Sequence, residues 1–248
     1  MSGNAIEQPK VVSREEWTRA RVALLAKEKA LTRQRDALAQ ERQQLPWVRM
    51  EKNYMFETAH GKKALGELFG GKSQLAIYHF MFGPDWEQGC PSCSLIGDHL
   101  DNLGIHLAQR DVRLVMVSHA PLAKIEAFKK RMGWKFPWVS ASETDFNFDF
   151  QASVPKEDAA KEHIYNYALM KFPSEERPGM SIFCKNAQGE VFHTYSMYGR
   201  GLEDLMSIYM ILDRVPKGRE EAGRGMFWVR HHDRYPESNI VGVQAAKG

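Results

Sequence analysis

Leu75-Ala76-Ile77-Tyr78-His79-Phe80-Met81-Phe82-Gly83-Pro84-Asp85-Trp86-Glu87-Gln88-Gly89-Cys90-Pro91-Ser92-Cys93 is the stretch on which the reading of this chain turns. Its first eight residues are apolar on both faces, as in a central strand covered on two sides within an α/β sheet. Gly83-Pro84-Asp85 supply turn chemistry, and two cysteines separated by two residues follow. Beyond them Ile96, Leu100, Leu103 and Leu107 recur at helical spacing, which predicts a helix opening at the dithiol with one buried face. Pro91 suits the first helical position, because it has no N–H to leave unpaired.

Working outward, Val112 to Val117 predicts a second buried strand. Leu122, Ile125, Phe128 and Met132 predict a second helix, with Gly133 as its stop. Trp138-Val139-Ser140 reads as a short third strand. Strand, helix, strand, helix, strand implies parallel pairing through right-handed crossovers. Upstream, Tyr54-Met55-Phe56 suggests a short strand and Ala64 to Phe69 a short helical turn. Downstream, Met180 to Cys184 and Glu190 to Tyr195 form a hairpin about Lys185-Asn186-Ala187-Gln188-Gly189. Leu202, Leu205, Tyr209 and Leu212 mark a closing helix that stops near Pro216. Positions 142–178 read as an insertion. Within it Asp145 to Phe150 alternates with the period of a strand, and Ala159 to Met170 has the look of a helix.

Residues 13–45 read as one helix in which Trp17, Leu24, Leu31, Leu38 and Leu45 recur at sevens. Ser13 followed by Glu15 and Glu16 makes its N-terminal cap, and Pro46 ends it. The stripe fits an arm packed on the body of its own chain or a contact between two copies in a homodimer. The expected organisation is a helical arm over 1–50, an α/β domain over 51–216 and an extension over 217–248. In that extension Met226 to Val229 is apolar enough to dock, and His231-His232-Asp233 read as solvated or docking residues.

Composition narrows the function classes. The 248 residues are 43% hydrophobic and 26% charged, with a net charge of +3. No basic face with interleaved aromatics marks a nucleic-acid partner. No apolar run is long enough to cross a bilayer, and Met1 to Lys10 lacks the apolar stretch of a secretory signal, so a soluble cytoplasmic protein without a membrane partner is expected. Three cysteines, Cys90, Cys93 and Cys184, do not make a secreted disulfide framework.

A C-x-x-C pair in a reducing compartment points to catalysis or metal. A zinc site needs a second ligand pair, and neither Cys184 nor His79, His99, His106 and His119 supplies one at metal spacing, so no metal and no other cofactor is expected. An inert buried thiol pair is the remaining alternative. Position favours exchange chemistry, since a pair after a central strand and before a helix lies at the carboxyl end of the sheet. There the helix N-terminus favours a Cys90 thiolate, and Cys93, one turn on, is poised to resolve a mixed disulfide. Asp85 and Glu87 precede the pair and are candidates to tune its proton affinity.

Tyr78 to Trp86 running into Cys90-Pro91-Ser92-Cys93 resembles an uncharacterised bacterial family of predicted dithiol–disulfide oxidoreductases with a thioredoxin-like fold. Arg113 to Ser118, Val191 to Tyr195 and Trp228 to Asp233 resemble its later segments, and the Trp17 to Trp47 arm its N-terminal helix. The resemblance spans nearly the whole chain. It implies a thioredoxin-like α/β sheet flanked by helices, a disulfide or small-thiol substrate and an electron donor. Cys90 would be the nucleophile, Cys93 the resolving thiol, and Trp86, Pro91 and Ser92 supporting residues.

Thioredoxins proper also place a tryptophan four residues before the first cysteine, as Trp86 stands here. Two features depart from them. Pro84 occupies the position of their buried aspartate, and Gly179 that of their cis-proline, with Pro178 one residue earlier as its candidate substitute. Peroxiredoxins, the competing chemistry, carry a proline and a threonine at fixed spacing before their cysteine. Pro84 is one residue too close, and no threonine intervenes. A non-enzymatic binding or dimerisation module is the third reading.

Overall fold

The computed structural model describes residues 9–236. In chain order it comprises α1 (Arg14–Gln43), β1 (Val48–Arg49), β2 (Met55–Thr58), β3 (Gly61–Ala64), β4 (Gln74–His79), α2 (Pro91–Leu100), α3 (Leu103–Leu107), β5 (Val112–Ser118), α4 (Leu122–Met132), β6 (Trp138–Ser140), α5 (Phe146–Asp149), β7 (Glu162–Tyr165), β8 (Ala168–Lys171), β9 (Gly179–Lys185), β10 (Val191–Tyr198) and α6 (Ser207–Leu212). Eight strands form one sheet in the order β1-β10-β9-β4-β5-β6-β2-β3, and β7 and β8 form a separate hairpin. β4, β5 and β6 are parallel, whereas β9 joins the other edge of β4 antiparallel and carries β10 beside it. This is a thioredoxin-like sheet: a parallel crossover that opens with the dithiol, completed by an antiparallel hairpin.

The two buried faces predicted for the central strands are present. Leu75 and Ile77 of β4, with Val115 and Val117 of β5, pack into a core containing Phe56, Phe69, Phe146 and Phe183. Ala76 and Tyr78, with Leu114 and Met116, face the other way, into a core shared with Ile96, Leu100, Phe128, Trp134 and Trp138. Because successive strand side chains alternate, Tyr78 lies on the face covered by α2. That places it under the dithiol.

Three local expectations are corrected. Asp145 to Phe150 is the short helix α5 with its flanks, not a strand. Phe146 and Phe150, four residues apart, both turn into the core against Tyr54, and this helical spacing outweighs the period-two alternation. Ala159 to Met170 contains the β7–β8 hairpin, not a helix. Its two-residue turn, Asn166-Tyr167, has φ of 53° and 64° at both positions, the left-handed geometry that tight hairpins use. The helix after the dithiol is broken at Asp101-Asn102. The Asp101 carboxylate there accepts from the Lys135 and Phe136 amides at 2.6 and 3.1 Å, and Leu103 is 42% exposed.

The arm is helical as expected, and Ser13 Oγ accepts from the Glu16 amide at 3.1 Å. It does not pack on the body of its own chain: no residue of α1 is buried. Contact is confined to its foot, where the Arg42 guanidinium lies 5.8 Å from the Tyr195 ring and Trp47 leans on Phe192. Among the described residues no helix is long and apolar enough to cross a membrane. Most of the polar segment Met1 to Lys10 lies outside the described residues, as does the chain beyond residue 236.

Candidate active site

Cys90 is the N-cap of α2 and Pro91 its first residue. The loop before them is held from several sides. The Cys90 amide donates to Met81 O at 3.0 Å, and Ala120, following β5, donates to Phe82 O at 2.8 Å. Lys124 of α4 donates to Pro84 O at 2.7 Å and to Trp86 O at 3.2 Å. Gly89 needs its missing side chain, since a Cβ there would stand 2.6 Å from the Phe80 ring and 2.8 Å from that of Phe128.

The two thiols sit in opposite environments. Cys90 is half-buried and Cys93 buried, and neither is in a disulfide. The Cys90 thiol is brought down from 9.0 to about 7, chiefly by a hydrogen bond from the Cys93 side chain. Burial opposes this shift, and the Cys93 amide, the Ser92 amide and the Ser92 hydroxyl add to it. The two amides are the free N–H groups that a helix N-terminus offers an anion. Burial and the neighbouring Cys90 charge push Cys93 well above its ordinary value. It is held by the Tyr78 hydroxyl at 3.2 Å and the Met81 amide at 3.4 Å. A half-buried thiol of lowered pKa thus stands beside a buried thiol of raised pKa, an unequal pair of the kind thiol exchange can use.

The other sequence-derived residues fall around this pair. Trp86 is half-buried and donates from Nε1 to Glu175 Oε1 at 2.6 Å. Ser92 is half-buried and Pro91 exposed. Asp85 is exposed and paired with Lys156 at 2.7 Å, which lowers its pKa. The Arg177–Pro178 bond is trans, unlike the cis-proline for which Pro178 was the candidate substitute. Pro178 O accepts from the Tyr165 hydroxyl at 2.7 Å.

His79 is a hydrogen-bonded core histidine, between Asn147 Oδ1 at 3.2 Å and Ser181 Oγ at 2.9 Å, and burial lowers its pKa to about 4. Among the described residues no group of three or more His, Cys, Asp and Glu side chains is arranged to hold a metal ion. A cleft of about 630 Å³ opens at the opposite end of the sheet, by Val112 and Trp138, and neither cysteine lines it.

Several residues of the site escaped the sequence reading. Tyr78 looked like one more apolar position of the strand. Glu175, Glu176 and Arg177 lay in the insertion, whose course toward the dithiol has no local signature. Glu176 is buried between His119 Nδ1 at 3.1 Å and Ser153 Oγ at 2.7 Å, and burial raises its pKa. The C-terminal extension also reaches the site. His231 Nε2 donates to Gly89 O at 2.8 Å, while Asp233 takes Arg131 in a two-point ion pair at 2.8 Å. His231-His232-Asp233 are therefore docking residues, and His231 holds the residue that precedes Cys90.

Residues 6–235 match the family model described as "Bacterial protein of unknown function (DUF899)". The chain belongs to this family. No curated protein matches it. Among solved structures it is similar to the peroxidoxin BcpB from Mycobacterium tuberculosis, with a TM-score of 0.43 and 12% identity over 66% of this chain and 93% of that one. It is similar to a cysteine-to-serine mutant of Xanthomonas campestris peroxiredoxin Q, with a TM-score of 0.43 and 14% identity over 63% and 90%. It is also similar to a protein assigned as the thiol:disulfide interchange protein DsbE from Chlorobium tepidum, with a TM-score of 0.39 and 10% identity over 66% and 97%. Likenesses this distant carry no argument about activity. The site's chemistry rests on its own geometry.

Proposed function

We propose that this DUF899 protein is a dithiol–disulfide oxidoreductase. One observation supports the reading above the rest: Cys90 caps α2 with its thiol brought to about 7, while its partner Cys93 is buried and protonated. The Cys90 thiolate attacks one sulfur of a substrate disulfide, whose S–S bond breaks and releases a thiolate. Cys93 then gives up its proton and attacks the Cys90 sulfur, closing the Cys90–Cys93 disulfide and releasing the second half of the substrate. Two electrons pass from the protein to the substrate, and a thiol or dithiol reductant returns them in the next cycle. Trp86, Pro91 and Ser92 shape the site, and the cytoplasm is the proposed setting, where a reducing poise keeps Cys184 a free thiol.

Equilibrating the protein with glutathione buffers of graded ratio, followed by quenching and mass measurement, tests the reading. A two-electron transition that loses two hydrogens and is abolished by Cys90→Ser is the expected result. A pair that never closes, or rapid consumption of peroxide without intramolecular disulfide formation, would remove this assignment.

A further inference from the structure

Arg177 stands in the extended segment that leads into β9, and it is 1% exposed. Among the described residues none of its three side-chain nitrogens has a hydrogen-bond partner, and no carboxylate pairs with it. Its charge is met only by aromatic rings, with the guanidinium carbon 5.6 Å from the Tyr165 centroid and 5.9 Å from that of Phe172. Ring faces offset a positive charge but do not accept N–H groups lying in the guanidinium plane. Five donors fixed in a planar fork are thus left without protein acceptors in a buried site, which folded proteins seldom tolerate. This burial also lowers the Arg177 pKa.

The neighbouring acids do not relieve it. Glu175 gives its Oε1 to Trp86, and Glu176 is taken by His119 and Ser153. A planar fork of this kind matches an oxyanion with two oxygens, above all a carboxylate.

Three residues after Arg177, Met180 pairs with Tyr78, whose hydroxyl donates to Cys93 Sγ at 3.2 Å. Phe172 packs on the core cluster that holds Cys93, as do Cys90 and Trp86. Gly179, two residues on, pairs with His79, the strand neighbour of Tyr78. The β7–β8 hairpin that supplies Tyr165 is held to the body by the Tyr165 hydroxyl, which donates to Pro178 O at 2.7 Å and accepts from the Gly199 amide at 3.0 Å, and by the Tyr167 hydroxyl, which donates to Ser196 O at 3.0 Å.

We propose that Arg177 is the anion-binding residue of the dithiol site and that the substrates are small disulfides bearing a carboxylate. Resting on the exchange reading of Cys90, this assigns the substrate class to that site. The guanidinium fork takes the two oxygens of the substrate carboxylate. Its disulfide is thereby presented to Cys90, and the electron transfer follows the two attacks described above.

Two aromatic disulfides of similar size test the assignment: dithiobis(2-nitrobenzoate), which carries carboxylates, and 4,4′-dithiodipyridine, which is neutral. The ratio of their rates with the reduced protein is compared with the same ratio for a small model thiol. A wild-type ratio about tenfold above the model thiol's is expected, the worth of one charge-assisted contact. Arg177→Met should bring that ratio down to the model value, and Arg177→Lys should keep part of it. Equal ratios in the wild type and in Arg177→Met would overturn the anion site while leaving the exchange reading intact. Failure of the wild type to react with either disulfide would instead remove the exchange reading.

A second measurement needs no variant: benzoate should slow alkylation of wild-type Cys90 by iodoacetamide, and benzyl alcohol should not. Equal effects of the two would also overturn the proposal.

Discussion

The Tyr78 hydroxyl donates to Cys93 Sγ across 3.2 Å, from a strand position buried completely beneath α2. Burial and the two nearby thiols raise the Tyr78 pKa well above its ordinary value, so the phenol keeps its proton and acts on Cys93 as a donor. In the proposed exchange cycle this bond stabilises the Cys93 thiolate as that sulfur attacks Cys90. Tyr78→Phe should therefore slow closure of the Cys90–Cys93 disulfide by roughly tenfold or more, as expected for a hydrogen bond to a charged acceptor. The initial attack by Cys90 should change much less. Stopped-flow thiol release resolves the two steps, and equal slowing of both would assign Tyr78 a purely structural part.

The Cys90 thiolate gives a pH signature. With its thiol near 7, the rate of alkylation by iodoacetamide should rise through a midpoint about there, and removing the leading cause with Cys93→Ala should move the midpoint toward the ordinary thiol value. The stability linkage has a definite sign. A pKa lower in the folded state makes a contribution that is complete above the unfolded value of 9.0 and is lost as pH falls through about 7. The reduced protein should accordingly gain stability from this group between about pH 7 and 9 in denaturant titrations, and Cys90→Ala should flatten that slope. A midpoint near 9 would contradict the electrostatics of the site.

His231 fastens the C-terminal extension to the loop that leads into Cys90. It is 3% exposed, its Nε2–H meets Gly89 O at 2.8 Å, and its ring edge lies against Phe128. Burial lowers its pKa, so at neutral pH the ring is uncharged, with Nδ1 toward Arg131 Nη2 at 3.4 Å. His231→Phe keeps the bulk and removes the donor, leaving the Gly89 carbonyl buried without its partner. A loss of about 1–3 kcal/mol is expected, with faster hydrogen exchange at the Gly89 and Cys90 amides. Exchange unchanged at those two amides would show that the extension merely covers the loop.

How far the sequence carries depends on the range of the interactions. β4, β5, α2 and α4 were legible because their apolar periods and end signals are local: Leu75 to Phe82 reads as a two-faced strand, and Gly133, with φ of 70°, stops α4 as expected. α5 and the β7–β8 hairpin were misread because tertiary packing decided them, through the Phe146–Phe150 pair and the Asn166-Tyr167 turn. Within the site, Cys90, Cys93 and Pro91 declare themselves by spacing. Tyr78 and Arg177 do not, because one is an aromatic in an apolar run and the other a charge in an irregular loop. Their meaning lies in what they meet across the fold, 15 residues away for Tyr78 and Cys93.

The arm makes the last prediction. α1 extends for about 45 Å at 1.5 Å per residue, and its heptad row stays open to solvent, with Trp17 50%, Leu24 51%, Leu31 51% and Leu38 45% exposed. A row of this length has no counterpart on the body of its own chain, since nothing in α1 is buried. An identical row on a second copy satisfies it, and Ala23, Ala30 and Ala37, one position before each leucine, leave room for a close helix–helix approach. The full chain should therefore sediment as a dimer, and Leu24→Glu combined with Leu31→Glu should turn it into a monomer. Because these leucines touch no core, the thermal midpoint of the body should fall by no more than a few degrees. A wild-type chain that sediments as a monomer at micromolar concentration would rule out pairing through α1.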